Sequence, residues 1–278
     1  AVVNGMRGMA VTDHGNMFGI KELFDYCNKV NGARKGEGKE LFKPIFGCEV
    51  YVAHHKKTDK VKDHGDMGGN HLILLAKNYI GYKNLIKLVS RAWVDGYYMR
   101  PRTDHDDLEK YHEGLIVCSA CIAGEVPSKI LKGDMTGARK SLEWYKRVFG
   151  DDYYLELQRH EVKDPNIRAN RETFPLQQKA NREIIELAKE YGVKLVCTND
   201  SHFVDKENAE AHDHLLCIST GKDLDDPSRM LYSKQEWFKT REEMNDIFSD
   251  VPEAMSSTVE ILDKVEFYDI EHSPIMPF

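Results

Sequence analysis

Short apolar runs of strand length alternate along this chain with segments of helical period, and that alternation constrains the fold more than any other feature. Residues 8–12, 42–52, 72–76, 115–118, 153–157 and 193–197 read as strands. Helices are predicted over 19–30, 81–96, 124–132, 134–148, 175–191, 205–219, 241–248 and 252–263. Leu23, Phe24 and Cys27 mark the first of these, and Leu85, Ile86, Leu88 and Val89 the second, at helical spacing. Gly192 is the expected stop of helix 175–191. Residues 31–40 are rich in Gly and Lys and read as a loop, 54–69 as a mobile excursion, and 160–174 as a loop. Strands alternating with helices predict an α/β protein with a parallel sheet and βαβ units.

Composition narrows the class. The chain has 278 residues, with 41% hydrophobic and 31% charged, ordinary for a globular domain. No apolar run approaches the ~20 residues that span a bilayer, and no signal peptide opens the chain. Six cysteines at this length do not form a disulfide framework, so a reducing, cytoplasmic setting is expected. A net charge of −7 gives no global footprint for nucleic acid. Local basic clusters remain, Lys56, Lys57, Lys60 and Lys62 in one and Arg91, Arg100 and Arg102 in another; their default role is a solvated surface. Residues 1–5 read as the tail of a helix, and 273–278 as a Pro-punctuated stretch, so both ends are read as cuts.

Residues of metal-binding type stand at or near the apolar runs. Thr12-Asp13-His14-Gly15 follows the first strand, and Asn199-Asp200-Ser201-His202 follows the last buried one. Two strand-end Asp/His pairs in one alternating chain point to a site, because a barrel of parallel strands gathers such ends at one rim. At i, i+2 spacing Asp200 and His202 are expected to face the same way. Glu49 lies inside an apolar strand, where a carboxylate must be solvated, paired or metal-bound. Cys118-Ser119-Ala120-Cys121 has redox spacing, but the run 115–117 leads straight into Cys118. Cys118 is therefore assigned to the core and Cys121 to a single-thiolate ligand position. His71 stands at the start of its strand rather than the end, and periodicity alone makes it a core histidine. His212 and His214, on a predicted helix, are given solvated or structural roles. A mixed histidine, carboxylate and thiolate set suits zinc or another transition metal, and hence a multi-metal site that hydrolyses phosphoesters. Phosphate-loop and serine-hydrolase motifs are missing.

Several collinear segments resemble the PHP (polymerase and histidinol phosphatase) domain found at the N-terminus of bacterial DNA polymerase III alpha subunits. They are 9–19, 43–49, 71–78, 81–85, 113–116, 118–121, 198–202, 224–227 and 259–261. The resemblance implies a distorted barrel of seven parallel strands with surrounding helices, here without its first strand and helix. It implies a domain over 1–270, with 271–278 starting a linker toward the polymerase palm. It also implies a site of nine ligands for up to three divalent metals, zinc or manganese. Six carry over by motif: His14, Glu49, His71, Cys121, Asp200 and His202. His71 thus joins the set by resemblance. The other three belong to a His-x-His motif upstream of Ala1, so this chain alone is expected to be a weak or inactive nuclease. The implied parent activity is DNA synthesis, with a 3'-5' proofreading exonuclease at the PHP site, and Arg100 or Arg102 is the expected contact to substrate phosphate. Implied partners are DNA and other holoenzyme subunits, such as the sliding clamp and a proofreading subunit, with no membrane. The competing readings are a non-catalytic scaffold, a free-standing phosphatase for a substrate such as histidinol phosphate, and a Cys-x-x-Cys redox protein.

Overall fold

A computed structural model describes residues 1–60, 68–162, 168, 172–273 and 276. Strands and helices alternate along most of the chain, in keeping with the α/β class, and the described strands number seven. The chain divides into two compact units, the first comprising 1–118, 145–153 and 259–278, the second 119–144 and 154–258.

The first unit begins with a βαβ step. Strand β1 (Gly8–Val11) and strand β2 (Lys43–Val52) run parallel, connected through helix α1 (Gly19–Gly36). Ile45 to Val52 are all buried, as expected of a strand covered on both faces. Helix α1 buries Ile20, Leu23, Phe24 and Cys27, an i, i+3, i+4, i+7 stripe. That stripe packs with Phe42 and Phe46, and Phe46 meets the Tyr268 ring edge-on at 5.7 Å. The helix runs past the predicted end and includes Gly32 and Gly36. Tertiary contacts offset the helix cost of glycine, about 1 kcal/mol each: the Asn31 amide donates to Phe42 O (2.8 Å) and accepts from Phe42 N (2.7 Å).

Strand β3 (Asn70–Ala76) departs from the parallel expectation. It pairs antiparallel with β2 and with β5 (Leu115–Cys118). A parallel neighbour needs a crossover of a dozen or more residues, usually a helix, and the described residues between Val52 and Asn70 contain no helix. After helix α2 (Tyr79–Val94) come two elements the periodicity did not reveal, the two-residue strand β4 (Arg102–Thr103), parallel to β2, and helix α3 (His105–Lys110). Asn78 caps α2 by accepting from Gly81 N (3.0 Å). A Cβ on Gly81 would lie 1.8 Å from Gly114 O, so the resemblance at 81–85 includes a packing requirement.

Helix α4 (Glu125–Leu131) and helix α5 (Met135–Phe149) precede strand β6 (Tyr153–Leu157). Helix α6 (Phe174–Tyr191) crosses to strand β7 (Lys194–Cys197), parallel to β6 with Leu155 opposite Leu195. Gly192 ends α6 in the left-handed region at φ 61°, as predicted. A short 3₁₀ turn (Lys206–Asn208), α7 (Ala209–Thr220), α8 (Arg241–Ile247) and α9 (Pro252–Lys264) complete the elements. Much of the predicted loop 160–174 lies outside the described residues, as do 61–67 of the predicted excursion and most of 274–278. No described helix is long and apolar enough to cross a membrane.

Candidate functional site

In the first unit the β1–β2 register carries His14 to Glu49. Val11 pairs with Phe46, and three residues later His14 and Glu49 form an isolated parallel bridge. Glu49 N donates to Asp13 O (3.0 Å), and Gly15 N donates to Glu49 O (2.8 Å). The Asp13 carboxylate accepts from Gly19 N (2.7 Å) at the start of α1, which fixes the loop. Gly15 has φ 66°, and a Cβ there would lie 2.8 Å from Pro101 Cγ and 3.0 Å from Tyr51 Cε2. Only glycine satisfies both constraints.

His71 reaches the same place because β3 is antiparallel. Its first residues stand beside the end of β2, with His71 opposite Tyr51 and Ile73 opposite Glu49. His71 and Glu49 are thus diagonal neighbours on one face. His71 is not a core histidine; its side chain is 26% exposed and its Nδ1 lies 2.6 Å from Glu49 Oε1. His14 Nδ1 lies 3.2 Å from the same oxygen. Glu49 is buried, and its Oε1 has these two imidazole nitrogens close by but no hydrogen bond of regular geometry. Burial alone would push the Glu49 carboxyl up, but the two imidazoles outweigh it and hold it down at about 2.

The basic clusters dissolve on inspection. Lys57 is buried against Asp107 (2.8 Å), Lys56 pairs with Asp106, and Lys62 lies outside the described residues. Arg91 pairs with Asp107 (2.8 Å). Arg102 is fully buried, donating to Lys57 O (2.9 Å), Asp59 O (3.0 Å) and Gly96 O (3.3 Å). It braces the loop after α2 and has no exposed surface for a phosphate. Arg100 is exposed, with its guanidinium 5.6 Å from the Tyr51 ring centre.

In the second unit Asp200 and His202 follow β7. Asp200 takes φ 47°, so the extended alternation expected there does not hold. The turn instead brings His202 Nδ1 to 2.7 Å from Asp200 O and 3.8 Å from its carboxylate. Segment 235–237 pins this turn: Asn199 donates to Gln235 O and Trp237 O, and His202 N donates to Glu236 O. Tyr232 OH lies 3.2 Å from His202 Nε2, and the His212 ring lies 5.6 Å from that of His202. His212 thus packs against the turn, and burial first, then His202, lowers its pKa. Cys121 is half-buried and, with Ala120, Pro127, Glu156 and Gln158, lines a small cavity; Cys118 is buried on β5. All six cysteines are free thiols.

Sequence reasoning passed over Tyr51, Tyr232, Glu156 and Glu236. Glu156 carried a usable signal, because it interrupts an apolar strand as Glu49 does. Among the described residues, no three His, Cys, Asp or Glu side chains are disposed as they stand to hold a metal ion. The donor chemistry of His14, Glu49 and His71 nevertheless fits one, because the buried Glu49 Oε1 lacks the hydrogen bonds such an atom normally has.

An α/β fold with carboxylate and imidazole donors at its strand ends defines a class, and the comparison with known families agrees: the chain belongs to the PHP domain family, whose signature matches residues 1–160. It is similar to the DNA polymerase III subunit alpha of Borreliella burgdorferi, 42% identical over 274 residues, covering 98% of this chain and 22% of that protein. The corresponding protein of Campylobacter jejuni is 39% identical over 272 residues, covering 94% and 20%. That of Thermus aquaticus is 37% identical over 258 residues, covering 91% and 19%. The chain therefore spans about a fifth of the length of these relatives.

Proposed function

We propose that this chain is the PHP domain of a DNA polymerase III alpha subunit, acting in DNA replication, that it contributes ligands to a divalent-metal site, and that this site in the parent protein hydrolyses phosphodiesters at DNA 3' ends. Similarity to the named relatives along nearly the whole chain supports the parent and its partners, DNA and further replication subunits such as the clamp and a proofreading subunit. The observation that carries the metal site is Glu49, a buried carboxylate with two imidazole nitrogens within 3.2 Å and an oxygen with no hydrogen bond of regular geometry.

His14, Glu49 and His71 would hold the metal in the first unit, and Cys121, Asp200 and His202 are proposed as ligands in the second. Zinc or manganese suits this donor set. Such a metal supplies Lewis acidity toward a phosphodiester and lowers the pKa of water. Glu49 contributes the negative charge, which its burial makes effective. The strand register fixes His14 and His71 on either side of it, and Arg100 is the exposed cation available to a backbone phosphate.

The direct approach of both imidazoles to Glu49 favours a second reading, a scaffold in which this cluster serves without metal. Metal titration calorimetry combined with a 3'-end hydrolysis assay, both on the full-length parent protein, separates the two. Manganese or zinc binding that weakens at least ten-fold in Glu49→Gln, with metal-dependent hydrolysis, supports the first. Unchanged heats in the variant and no hydrolysis leave the scaffold. Cys121→Ser should lower metal content while Cys118→Ser affects packing; equal losses would favour a two-thiolate site.

A further inference from the structure

Beside the Thr12-Asp13-His14-Gly15 loop the first unit exposes a pair of aromatic rings that the proposed chemistry does not use. Trp93, in the last turn of α2, and Tyr97, just beyond it, stack at 5.4 Å between ring centres with planes 20° apart. Each is 48% exposed, a large apolar area to leave in water. Trp93 is held in place, since its indole N–H donates to Gly15 O at 2.8 Å, one residue from His14. The loop beyond is braced from beneath by the buried Arg102 through Gly96 O, and a Cβ on Gly96 would lie 1.9 Å from Arg102 O. Arg100 leaves this loop exposed, over the Tyr51 ring, and Tyr51 in turn meets the His71 ring edge-on at 5.3 Å.

We infer that Trp93 and Tyr97 form a stacking platform for the terminal nucleobase of single-stranded DNA, with Arg100 on the adjoining phosphate; the inference rests on the 3'-end reading above. A fixed, exposed, planar pair offers a π-face to any base, so binding needs no sequence readout. A cation nearby matches the phosphate that accompanies each base. The link from Trp93 to Gly15 places the platform next to His14, where a terminal phosphodiester would have to lie.

The test uses this chain and a fluorescent thymidine oligonucleotide of about ten residues, with affinity measured in EDTA so that binding is read without hydrolysis. Trp93→Ala and Tyr97→Ala are each expected to weaken binding about ten-fold, and Tyr97→Phe to leave it near the wild-type value. Trp93→Phe keeps a ring but loses the indole N–H, and is expected to retain most of the affinity. Arg100→Gln should reduce the salt slope by about one. A strand with abasic sites at its 3' end should bind more weakly and be insensitive to both alanine substitutions. The inference is overturned if both alanine variants bind like wild type. It is equally overturned if abasic and normal strands respond alike, or if Trp93→Phe loses as much as Trp93→Ala. Altered self-association in sedimentation with unchanged strand binding would also overturn it, making the patch a protein interface. Ring-dependent binding without metal-dependent hydrolysis would sink only the catalytic reading, and hydrolysis without ring-dependent binding only the platform.

Discussion

Glu49 in the first unit and Glu156 in the second are the same event in sequence, a glutamate interrupting a buried strand, yet their surroundings differ in kind. Both are about 5% exposed or less. Glu156 is satisfied on every side. Its Oε1 accepts from Gln158 (3.1 Å) and from the Thr198 hydroxyl, and its Oε2 from Ala120 N (3.0 Å). Its own N–H donates to Ser119 Oγ (2.8 Å). Ala120, in the left-handed region at φ 61°, is held there partly by that carboxylate. Glu49 has two imidazoles close by and an oxygen with no aligned donor. A carboxylate whose lone pairs are all used builds structure, whereas one buried with a lone pair unspent is available to a ligand.

The comparison breaks most readily on stability. Glu156→Ala should cost about 3–5 kcal/mol in denaturant unfolding, because it strands several buried donors. Metal-free Glu49→Gln should cost less, about 1–2 kcal/mol, because it loses two imidazole contacts but strands no buried backbone donor. Equal costs would abolish the distinction.

Ligand linkage sharpens the same contrast. Manganese or zinc at a hundred times its Kd should raise stability by about 2.7 kcal/mol, measured as a shift of the urea midpoint. Glu49→Gln should abolish that gain and Glu156→Gln keep it. A gain that survives in Glu49→Gln would move the metal elsewhere.

The two neighbouring arginines give a smaller version of the argument. Arg102→Met should destabilise by about 2 kcal/mol, because three carbonyls lose a buried donor. Arg100→Gln should change stability by no more than about 0.5 kcal/mol. Thermal melts of both variants test this, and a large loss in Arg100→Gln would show that it, too, is structural.

A separate test concerns pH in the second unit. Lys239 is buried with its ammonium 3.4 Å from the Trp237 ring centre. Burial lowers its pKa to about 8; Glu236 and Glu243 oppose the shift and Lys206 adds to it. The unfolded chain then binds the proton more tightly, so stability should rise from pH 8 to 10.5 as the unfolded lysine also loses it. Lys239→Met should flatten that rise in melts across the interval, whereas an unchanged slope would assign it to another group.

Much of this protein is legible in its sequence because period and local propensity are local quantities. The strands at 115–118 and 153–157, the stop at Gly192 and the donors His14, Asp200 and His202 at strand ends all follow from residues a few positions apart. Other features depend on partners far along the chain. Helix α1 passes through Gly32 and Gly36 because Asn31 grips Phe42. Arg102 looks like a surface cation until its carbonyl partners close around it. His71 looks misplaced at a strand start, yet the reversal of β3 puts that start beside the end of β2 and within reach of Glu49. The sequence alone determined most of the elements and the position of His14, Asp200 and His202 at strand ends. Strand direction, and which donor meets which buried carboxylate, were decided by the tertiary structure, because burial makes a charge depend on the neighbours that long-range pairing brings to it.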